Sequence, residues 1–194
     1  MPRKNAKNTR GRIISAAWKL FYEQGYEDTT VEEIIELSGT SKGSFYHYLD
    51  GKDALLSTLS SLFDEKYEEL TGLLTPEMTA MEQLLFLNRE LFHMIEDSIS
   101  LDLLARLYST QLTTNGEKHL LDHNRIYYKL LRKIIAKGQA EGQLSSRSNV
   151  NEMVKLYALC ERALLYDWCL CAGEYALTEY SAKVLPGFLS SFLP

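Results

Sequence analysis

The sequence predicts an all-α protein of about nine helices. Apolar residues recur at spacings of three and four along most of its 194 residues, which is the period of an amphipathic helix. Only four prolines and eleven glycines interrupt the chain, so long helices are possible. No segment shows the alternation of apolar and polar residues that is typical of a half-buried strand. We therefore expect a small N-terminal domain of three helices, followed by a larger helical domain.

The first two helices are bounded by local signals. Apolar residues share one face over residues 9–24, and Gly25 follows where a left-handed residue often ends a helix. Thr30 and Glu33 have the spacing of a capping box, in which each side chain accepts a hydrogen bond from the other's backbone N–H. This pair predicts a short second helix over residues 31–37.

A third short helix follows after a tight turn. Gly39 ends the second helix, because glycine adopts a positive φ at little cost. Ser41 is the expected N-cap of a helix that reaches Tyr48. Two short helices joined in this way form a helix-turn-helix, whose second helix fits the DNA major groove, about 12 Å wide.

The remaining helices are predicted from caps, prolines and glycines. A fourth helix over residues 51–72 is capped by Asp50 and Asp53, and a fifth begins at Thr75-Pro76. A short helix near residues 101–111 follows, and then a long segment from Asn115-Gly116 to Glu141 and a helix from Asn149 to Ala172. The last helix begins at Thr178 and is interrupted or bent by Pro186-Gly187. The fourth helix would belong to both domains, which we place at residues 1–52 and 53–194.

Charge is distributed unevenly along the chain. The formal net charge is −5, which alone would argue against nucleic acid. Residues 1–22, however, carry six basic side chains and no acidic one, and residues 38–49 carry a lysine and no acid. Such cations neutralise phosphates and supply non-specific affinity for DNA. The N-terminal part therefore keeps nucleic acid as a candidate partner.

The cysteines and the N-terminus indicate a compartment. The sequence has three cysteines, all in its last 35 residues: Cys160, Cys169 and Cys171. An odd number clustered in this way does not form a disulfide framework. We expect core thiols rather than a metal or redox pair, since residues two apart on a helix point to different sides. Neither a signal peptide nor an apolar run of 18 residues is present. We expect a cytoplasmic protein without a membrane segment or a cofactor.

The stretch TTVEEIIELSGTSKGSFYHYLDGKDALL, residues 29–56, resembles the signature of the TetR family of transcriptional regulators. Nearly every diagnostic position of that signature is kept over these 28 residues. The differences, four of which we interpret as changes in core packing, are Ile35, Ser38, Thr40, Leu49 and Gly51. The resemblance implies a homodimeric DNA-binding regulator, most often a repressor, that binds a palindromic operator.

The resemblance also implies where double-stranded DNA is contacted. Phe45 and Leu49 are expected in the core, one helical turn apart. The expected DNA-contacting residues lie at the start of the second helix, on the third helix and at the start of the fourth: Thr30, Thr40, Ser41, Lys42, Gly43, Ser44, Tyr46, His47, Tyr48 and Lys52. Among these, Tyr46, Tyr48 and Lys52 are expected at phosphates, whereas Lys42, Ser44 and His47 are candidates for base edges.

The larger domain is expected to bind an effector and to dimerise. Residues 153–172 are apolar on more than one face, which favours a second partner beyond the chain's own core. By the resemblance, the last two helices form a four-helix bundle with those of a second subunit, to which Leu185, Phe188, Leu189 and Phe192 would contribute. Glu161, beside Arg162, is either half of an interface ion pair or a polar group of a pocket.

A pocket for an unknown small effector, hydrophobic or aromatic, is expected among the fifth to eighth helices. Such pockets are mostly apolar with a few polar groups. The candidate ligand-binding residues are Asn88, Phe92, His93, Tyr108, Gln111, Tyr127, Tyr128, Glu161, Tyr166 and Trp168.

Two other functions remain open at this level. The first is a DNA-binding regulator that is controlled by a protein partner and has no small-molecule ligand. The second is a helical metal-dependent enzyme or carrier that uses His119 and His123, which lie four residues apart. No nucleophile elbow, phosphate-binding loop or paired-carboxylate pattern is present, so the sequence favours a regulator over an enzyme.

Overall fold

The computed structural model describes residues 3–56, 58–113 and 118–194. Every regular element within these ranges is a helix, so the predicted all-α fold is confirmed. The α-helices are α1 (Arg3–Gln24), α2 (Val31–Ser38), α3 (Lys42–Tyr48), α4 (Asp53–Leu56), α5 (Thr58–Thr71), α6 (Ala80–Ser98), α7 (Leu101–Thr113), α8 (Ile126–Ala140), α9 (Val150–Leu170) and α10 (Leu177–Leu189). Short 3-10 helices cover His119–Leu121 and Ser190–Phe192. None of the helices described here is both long and apolar enough to cross a membrane.

Side-chain caps begin α2, α3 and α9 where the sequence predicts them. The Thr30 hydroxyl accepts a hydrogen bond of 3.2 Å from the Glu33 N–H, and the Glu33 carboxylate accepts one of 2.7 Å from the Thr30 N–H. Ser41 caps α3 and Asn149 caps α9, each by accepting the N–H three residues on, at 3.1 and 3.0 Å. These bonds satisfy N–H groups that have no partner within the helix.

α6 begins later than predicted. The expected start at Thr75-Pro76 is wrong, because the helix begins at Ala80 with Thr79 as its N-cap. Thr79 and Glu82 form a second capping box, while residues 75–78 form a turn closed by a 3.2 Å bond from the Met78 N–H to the Thr75 carbonyl. The capping box gives hydrogen-bond partners to two backbone N–H groups, whereas proline at the first helical position only removes one N–H that would lack a partner.

Two other predicted helices include residues that lie outside the described ranges. The predicted fourth helix corresponds to α4 and α5, on either side of residue 57, and the Asp53 carboxylate accepts a hydrogen bond from the Tyr26 hydroxyl. The predicted helix start at Asn115-Gly116 lies outside the described residues, and α8 begins only at Ile126.

The first turn of the last helix is capped by a side chain from a distant part of the sequence. α10 begins at Leu177, one residue before the predicted Thr178, and its N-cap position has no side-chain cap of its own. The Glu96 carboxylate of α6 accepts hydrogen bonds from the N–H groups of Leu177 and Thr178, at 2.5 and 3.0 Å. The helix continues through Pro186 to Leu189, so the predicted interruption is wrong.

The chain forms two compact units. The first contains Met1–Ser61 and Asp102–Asn115, and the second contains Leu62–Leu101 and Gly116–Pro194. α7 therefore lies with α1 to α4, although its sequence position is in the middle of the chain. The functional boundary after residue 52 stays a prediction, because compactness does not test it.

The core of the first unit lies between α1, α2 and α3. Its fully buried side chains include Ile13, Ala17, Phe21, Ile34 and Phe45. The Phe21 and Tyr26 rings extend this core, with their centroids 4.9 Å apart. The apolar face of each short helix is thus buried against α1, which fixes the outward direction of the opposite faces.

The second unit is built around α6, which packs against α8 and α10. α6 contributes Leu84, Leu87, Phe92 and Ile95 to the core, all fully buried. α6 and α8 approach closely where a Cβ added to Gly138 would lie 2.6 Å from the Ala80 Cβ. Because no side chain fits there, a glycine is required at this contact.

Candidate DNA interface and effector groove

The turn between α2 and α3 is closed by backbone bonds. Gly39 adopts φ 59° and ψ 39°, a left-handed conformation that glycine favours. Its N–H donates to the Glu36 carbonyl at 3.0 Å, and the Thr40 N–H donates to the Ile35 carbonyl at 3.1 Å. This pair of bonds ends α2 and sets the direction in which α3 leaves.

Arg12 of α1 holds the same turn from outside. Its guanidinium donates to the Gly39 carbonyl at 2.7 Å and also to the Ser38 carbonyl. From the sequence, Arg12 is only one of the six basic residues of the N-terminus, because no local pattern indicates a contact across 27 residues. Its first role in the structure is to fix the turn.

α3 has one buried and one exposed face. Phe45 is fully buried and Leu49 is buried beside it, as predicted. The opposite face is exposed, with Ser44 and Tyr48 half-buried at its edges; the predicted DNA-contacting residues Ser41, Lys42, Gly43, Tyr46 and His47 lie on it. Thr30 is exposed at the start of α2, and Thr40 is half-buried in the turn. The arrangement presents a continuous polar and aromatic surface.

Lys42 is the cation at the centre of this surface. Its ammonium lies 3.2 Å from the Glu32 carboxylate, and the side chains of Lys42 and Glu32 are 68% and 70% exposed. The hydrogen bond from Lys42 is the main cause that lowers the pKa of the Glu32 carboxyl. Exposed ion pairs contribute little to stability, so release of Lys42 from Glu32 costs little free energy.

Lys52 is bound within the protein. Its ammonium donates to the carbonyls of Tyr26 and Thr29, at 2.6 and 2.9 Å, and more weakly to that of Glu27 at 3.3 Å. It also lies 4.2 Å from the centroid of the Tyr26 ring. Lys52 thus connects α4 to the loop before α2, and its predicted contact with phosphate stays a prediction.

In the second unit, a buried carboxylate joins three helices. Glu161 of α9 accepts hydrogen bonds from the Asn88 amide of α6 at 2.9 Å and the Tyr127 hydroxyl of α8 at 2.6 Å. Burial raises the pKa of Glu161, although these hydrogen bonds partly oppose the shift. Arg162 donates instead to the Tyr128 hydroxyl at 3.2 Å. Glu161 is therefore a buried polar group that joins α6, α8 and α9, and its two predicted roles, in an interface ion pair or in a pocket, stay predictions.

The network around Glu161 reaches a groove between α6 and α10. The Ser181 hydroxyl of α10 donates to the Asn88 amide oxygen, and both residues are buried. The groove has a volume of about 620 Å³. Its lining is Glu77, Met78, Glu82, Leu85, Phe86, Asn88, Arg89, Thr178, Ser181, Ala182, Leu185 and Pro186.

The predicted ligand-binding residues do not form one pocket. Asn88 lines the groove, and Tyr127 and Glu161 lie behind it in the hydrogen-bonded network. Four candidates do not lie inside the second unit, where the pocket was expected. His93 and Tyr166 are exposed, and Tyr108 and Gln111 lie on α7 in the first unit. The other three, Phe92, Tyr128 and Trp168, are buried in the second unit.

An apolar strip on α9 is uncovered. Leu159, Tyr166 and Leu170 are 53%, 46% and 67% exposed, and they follow one another at helical spacing on one face. The predicted interface residues Leu185, Leu189 and Phe192 are instead buried within the chain itself, because α10 packs on α6. Only Phe188 among these four is half-buried.

The two histidines considered for a metal do not share a helix. His119 lies in a 3-10 helix that ends at Leu121, and His123 lies beyond it, before α8 begins. The helical spacing on which that hypothesis depended is therefore wrong. Within the described ranges, no group of three or more His, Cys, Asp or Glu side chains is placed to hold a metal ion.

Comparison with known proteins supports the interpretation of the first unit. Residues 13–59, which cover α2, α3, α4 and the second half of α1, match the family described as "Bacterial regulatory proteins, tetR family". This part of the chain is similar to the TetR family. Among curated relatives, the HTH-type transcriptional regulator TtgR of Pseudomonas putida is 34% identical over 68 residues, which are 35% of this chain and 32% of TtgR. The chain spans about a third of the length of the curated relatives of this kind.

Solved structures share the fold over nearly the whole chain. A TetR-family regulator from Pectobacterium atrosepticum has a TM-score of 0.78 at 17% identity, covering 100% of this chain and 98% of that one. FadR of Bacillus subtilis, solved in complex with stearoyl-CoA, has a TM-score of 0.69 at 23% identity, with coverage of 94% and 99%. These likenesses show that the larger unit shares its fold with those regulators.

Proposed function

We propose that this chain is a TetR-family, ligand-responsive transcriptional repressor that binds a palindromic operator as a homodimer. The observation that carries the proposal is the two-sided α3, anchored by Phe45 and exposed at Lys42, Tyr46 and His47. A helix held in this way fits the major groove, and the arginine-fixed turn at Gly39 sets its angle of entry. We propose Thr30 and the exposed α3 residues as the DNA contacts.

The α9 strip supports dimerisation. Leu159, Tyr166 and Leu170 expose a continuous apolar surface, which a second copy of the same helix would cover. We expect Leu159→Asp to convert the dimer to a monomer in analytical ultracentrifugation. Leu112→Asp, at a 70% exposed leucine of α7, is the matched control and should leave the dimer intact.

The larger unit is the proposed site of the effector. FadR of Bacillus subtilis was solved with stearoyl-CoA in the same fold, which supports a small-molecule effector here without naming it. The chain would have two conformations, one with high and one with low affinity for DNA. An effector that binds the low-affinity conformation better shifts the equilibrium towards it, and bound DNA weakens effector binding by the same factor. In this proposal the effector changes the separation of the two DNA-binding units and releases the operator.

The test begins with a duplex selected by the purified protein from a random DNA library. We expect the selected sequence to be palindromic, and its binding to weaken steeply with salt because phosphates are neutralised. Lys42→Ala and Tyr46→Ala should each abolish the operator complex while the dimer remains folded. Lys133→Ala, an exposed lysine of α8, controls for loss of a positive charge. Unchanged binding in both α3 variants would overturn the assignment.

A further inference from the structure

We propose that the groove between α6 and α10 binds an amphiphilic cation, with an apolar body along the groove and a positively charged head at Glu77 and Glu82. This inference rests on the proposed function, because it names the chemical class of the effector. At about 620 Å³ the groove lies within the size range of small-molecule sites.

The walls of the groove select an apolar body. Six of the lining side chains are apolar: Met78, Leu85, Phe86, Ala182, Leu185 and Pro186. They come from α6, from the turn before it and from α10, so an elongated hydrocarbon or aromatic group would contact both helices. Covering apolar surface of this kind is the main source of affinity for such ligands.

The charged groups of the groove select a cation. Glu77 and Glu82 both line it, and hydrogen bonds from Thr75 and Thr79 lower the pKa of their carboxyl groups, which keeps them ionised. Arg89 is the cation in this lining, but its guanidinium already binds the Glu90 carboxylate at 2.8 and 3.0 Å. The charged side chains of the lining are therefore two carboxylates and one paired guanidinium, and this excess of negative charge favours a positive head over a carboxylate or a phosphate.

The floor of the groove couples the ligand to the rest of the unit. Asn88 and Ser181 lie there, and Asn88 uses one of its two amide N–H groups on Glu161. A hydrogen-bonding group on the ligand would compete for Asn88 and Ser181. Any rearrangement of Asn88 alters the bonds of Glu161, which holds α6, α8 and α9 together. Occupancy of the groove is thus connected to the helix that carries the exposed apolar strip.

The experiment compares three probes that share one hydrocarbon chain. Decyltrimethylammonium, decanamide and decanoate are titrated into the full chain by calorimetry, below their micelle-forming concentrations and at low salt. We expect the cation to bind at least ten-fold more tightly than decanoate, with decanamide between them. Added salt should reduce the difference, since it screens the two carboxylates. Equal or tighter binding of decanoate would overturn the inference.

Variants locate the binding. Glu77→Gln with Glu82→Gln should weaken binding of the cation several-fold and leave decanamide unchanged; glutamine at position 82 keeps the capping box. Ala182→Trp should fill the groove and abolish binding of all three probes, whereas Ala136→Trp, on the exposed face of α8, should not. Unchanged binding to the Ala182→Trp protein would place the probes elsewhere and overturn the inference.

DNA release is measured separately with the selected operator. A cation that binds in the groove but does not weaken the operator complex supports the groove and contradicts the proposed ligand response. Release of the operator by an effector whose binding Ala182→Trp does not alter supports the proposed function and overturns the groove as its site.

Discussion

Arg106 of α7 forms an ion pair with Glu27, in the loop that joins α1 to α2. Its guanidinium also binds Asp102 through two contacts of 3.0 Å and lies 5.0 Å from the centroid of the Tyr26 ring. A helix from the middle of the sequence thus supports the loop that leads into α2 and α3. The position of this loop depends on α7 as well as on its own residues.

Arg106→Met is therefore expected to weaken both the first unit and DNA binding. The loss in unfolding free energy should be about 0.5–1 kcal/mol, because the pair is partly exposed and the ring contact adds modestly. Arg106→Lys keeps the charge but not the planar contact with the ring, so it should restore part of each effect. Chemical denaturation and operator titration are the measurements, and wild-type values for Arg106→Met in both would contradict the role.

The two glycines around α3 should respond in opposite ways to alanine. Gly39→Ala places a side chain in a left-handed conformation, 2.9 Å from the Arg12 guanidinium, and should destabilise the protein by about 1–2 kcal/mol. Gly43→Ala meets only open space, with the Ser41 hydroxyl 3.9 Å away, and should stabilise α3 by about 0.5–1 kcal/mol.

Gly43→Ala nevertheless should bind the operator more weakly. The fold gives no reason for a glycine at this exposed helical position, so we attribute it to close approach of the backbone to DNA. Thermal denaturation and operator titration on the same preparation separate the two effects. A variant that is more stable and binds DNA as well as the wild type would contradict the close approach.

The buried Glu161 should make stability fall as pH rises. Burial raises its pKa above the value of about 4.3 of the unfolded chain, so the native state holds more protons between the two values. The stability that the protonated carboxyl contributes is therefore lost as pH increases through this window. Glu161→Gln should lose less stability than the wild type on going from pH 5 to pH 8.

Glu152→Gln, at the exposed start of the same helix, is the control for this pH dependence. Melting temperatures measured across the pH range report the difference. Parallel curves for the wild type and Glu161→Gln would show that the carboxyl titrates alike in both states.

The distant cap of α10 is also testable. Glu96→Ala removes the acceptor of two backbone N–H groups and should reduce the unfolding free energy by about 1–2 kcal/mol, as loss of an N-cap does. Glu96→Gln keeps one acceptor oxygen and should lose less. Glu90→Ala, on the same helix, tests whether loss of any α6 carboxylate has the same effect in urea denaturation.

Elements that are specified by local interactions could be predicted from the sequence. The α2–turn–α3 segment was predicted to within one residue at each boundary, because Thr30, Gly39 and Ser41 specify it through contacts over a few residues. The start of α6 was placed wrongly because Pro76 and Thr79 both give valid start signals, and only the completed capping box distinguishes them.

The parts that sequence analysis missed depend on contacts between distant residues. No pattern indicates that Arg12 holds Gly39, that Arg106 pairs with Glu27, or that Asn88 joins Glu161 to Ser181. Candidates such as Phe92 and Trp168 have the composition of a ligand pocket, but aromatic side chains fill cores equally well. Three-dimensional packing alone separates the two uses.

The cap that Glu96 gives to α10 also sets an order of assembly. The ribosome adds Glu96 81 residues before Leu177, so the acceptor exists long before the helix that needs it. α10 has 13 residues, too few for a stable helix alone in water. We expect the newly made C-terminus to become helical only when it docks on α6, which serves as a template. Biosynthesis of the second unit would then end with the segment that closes its groove.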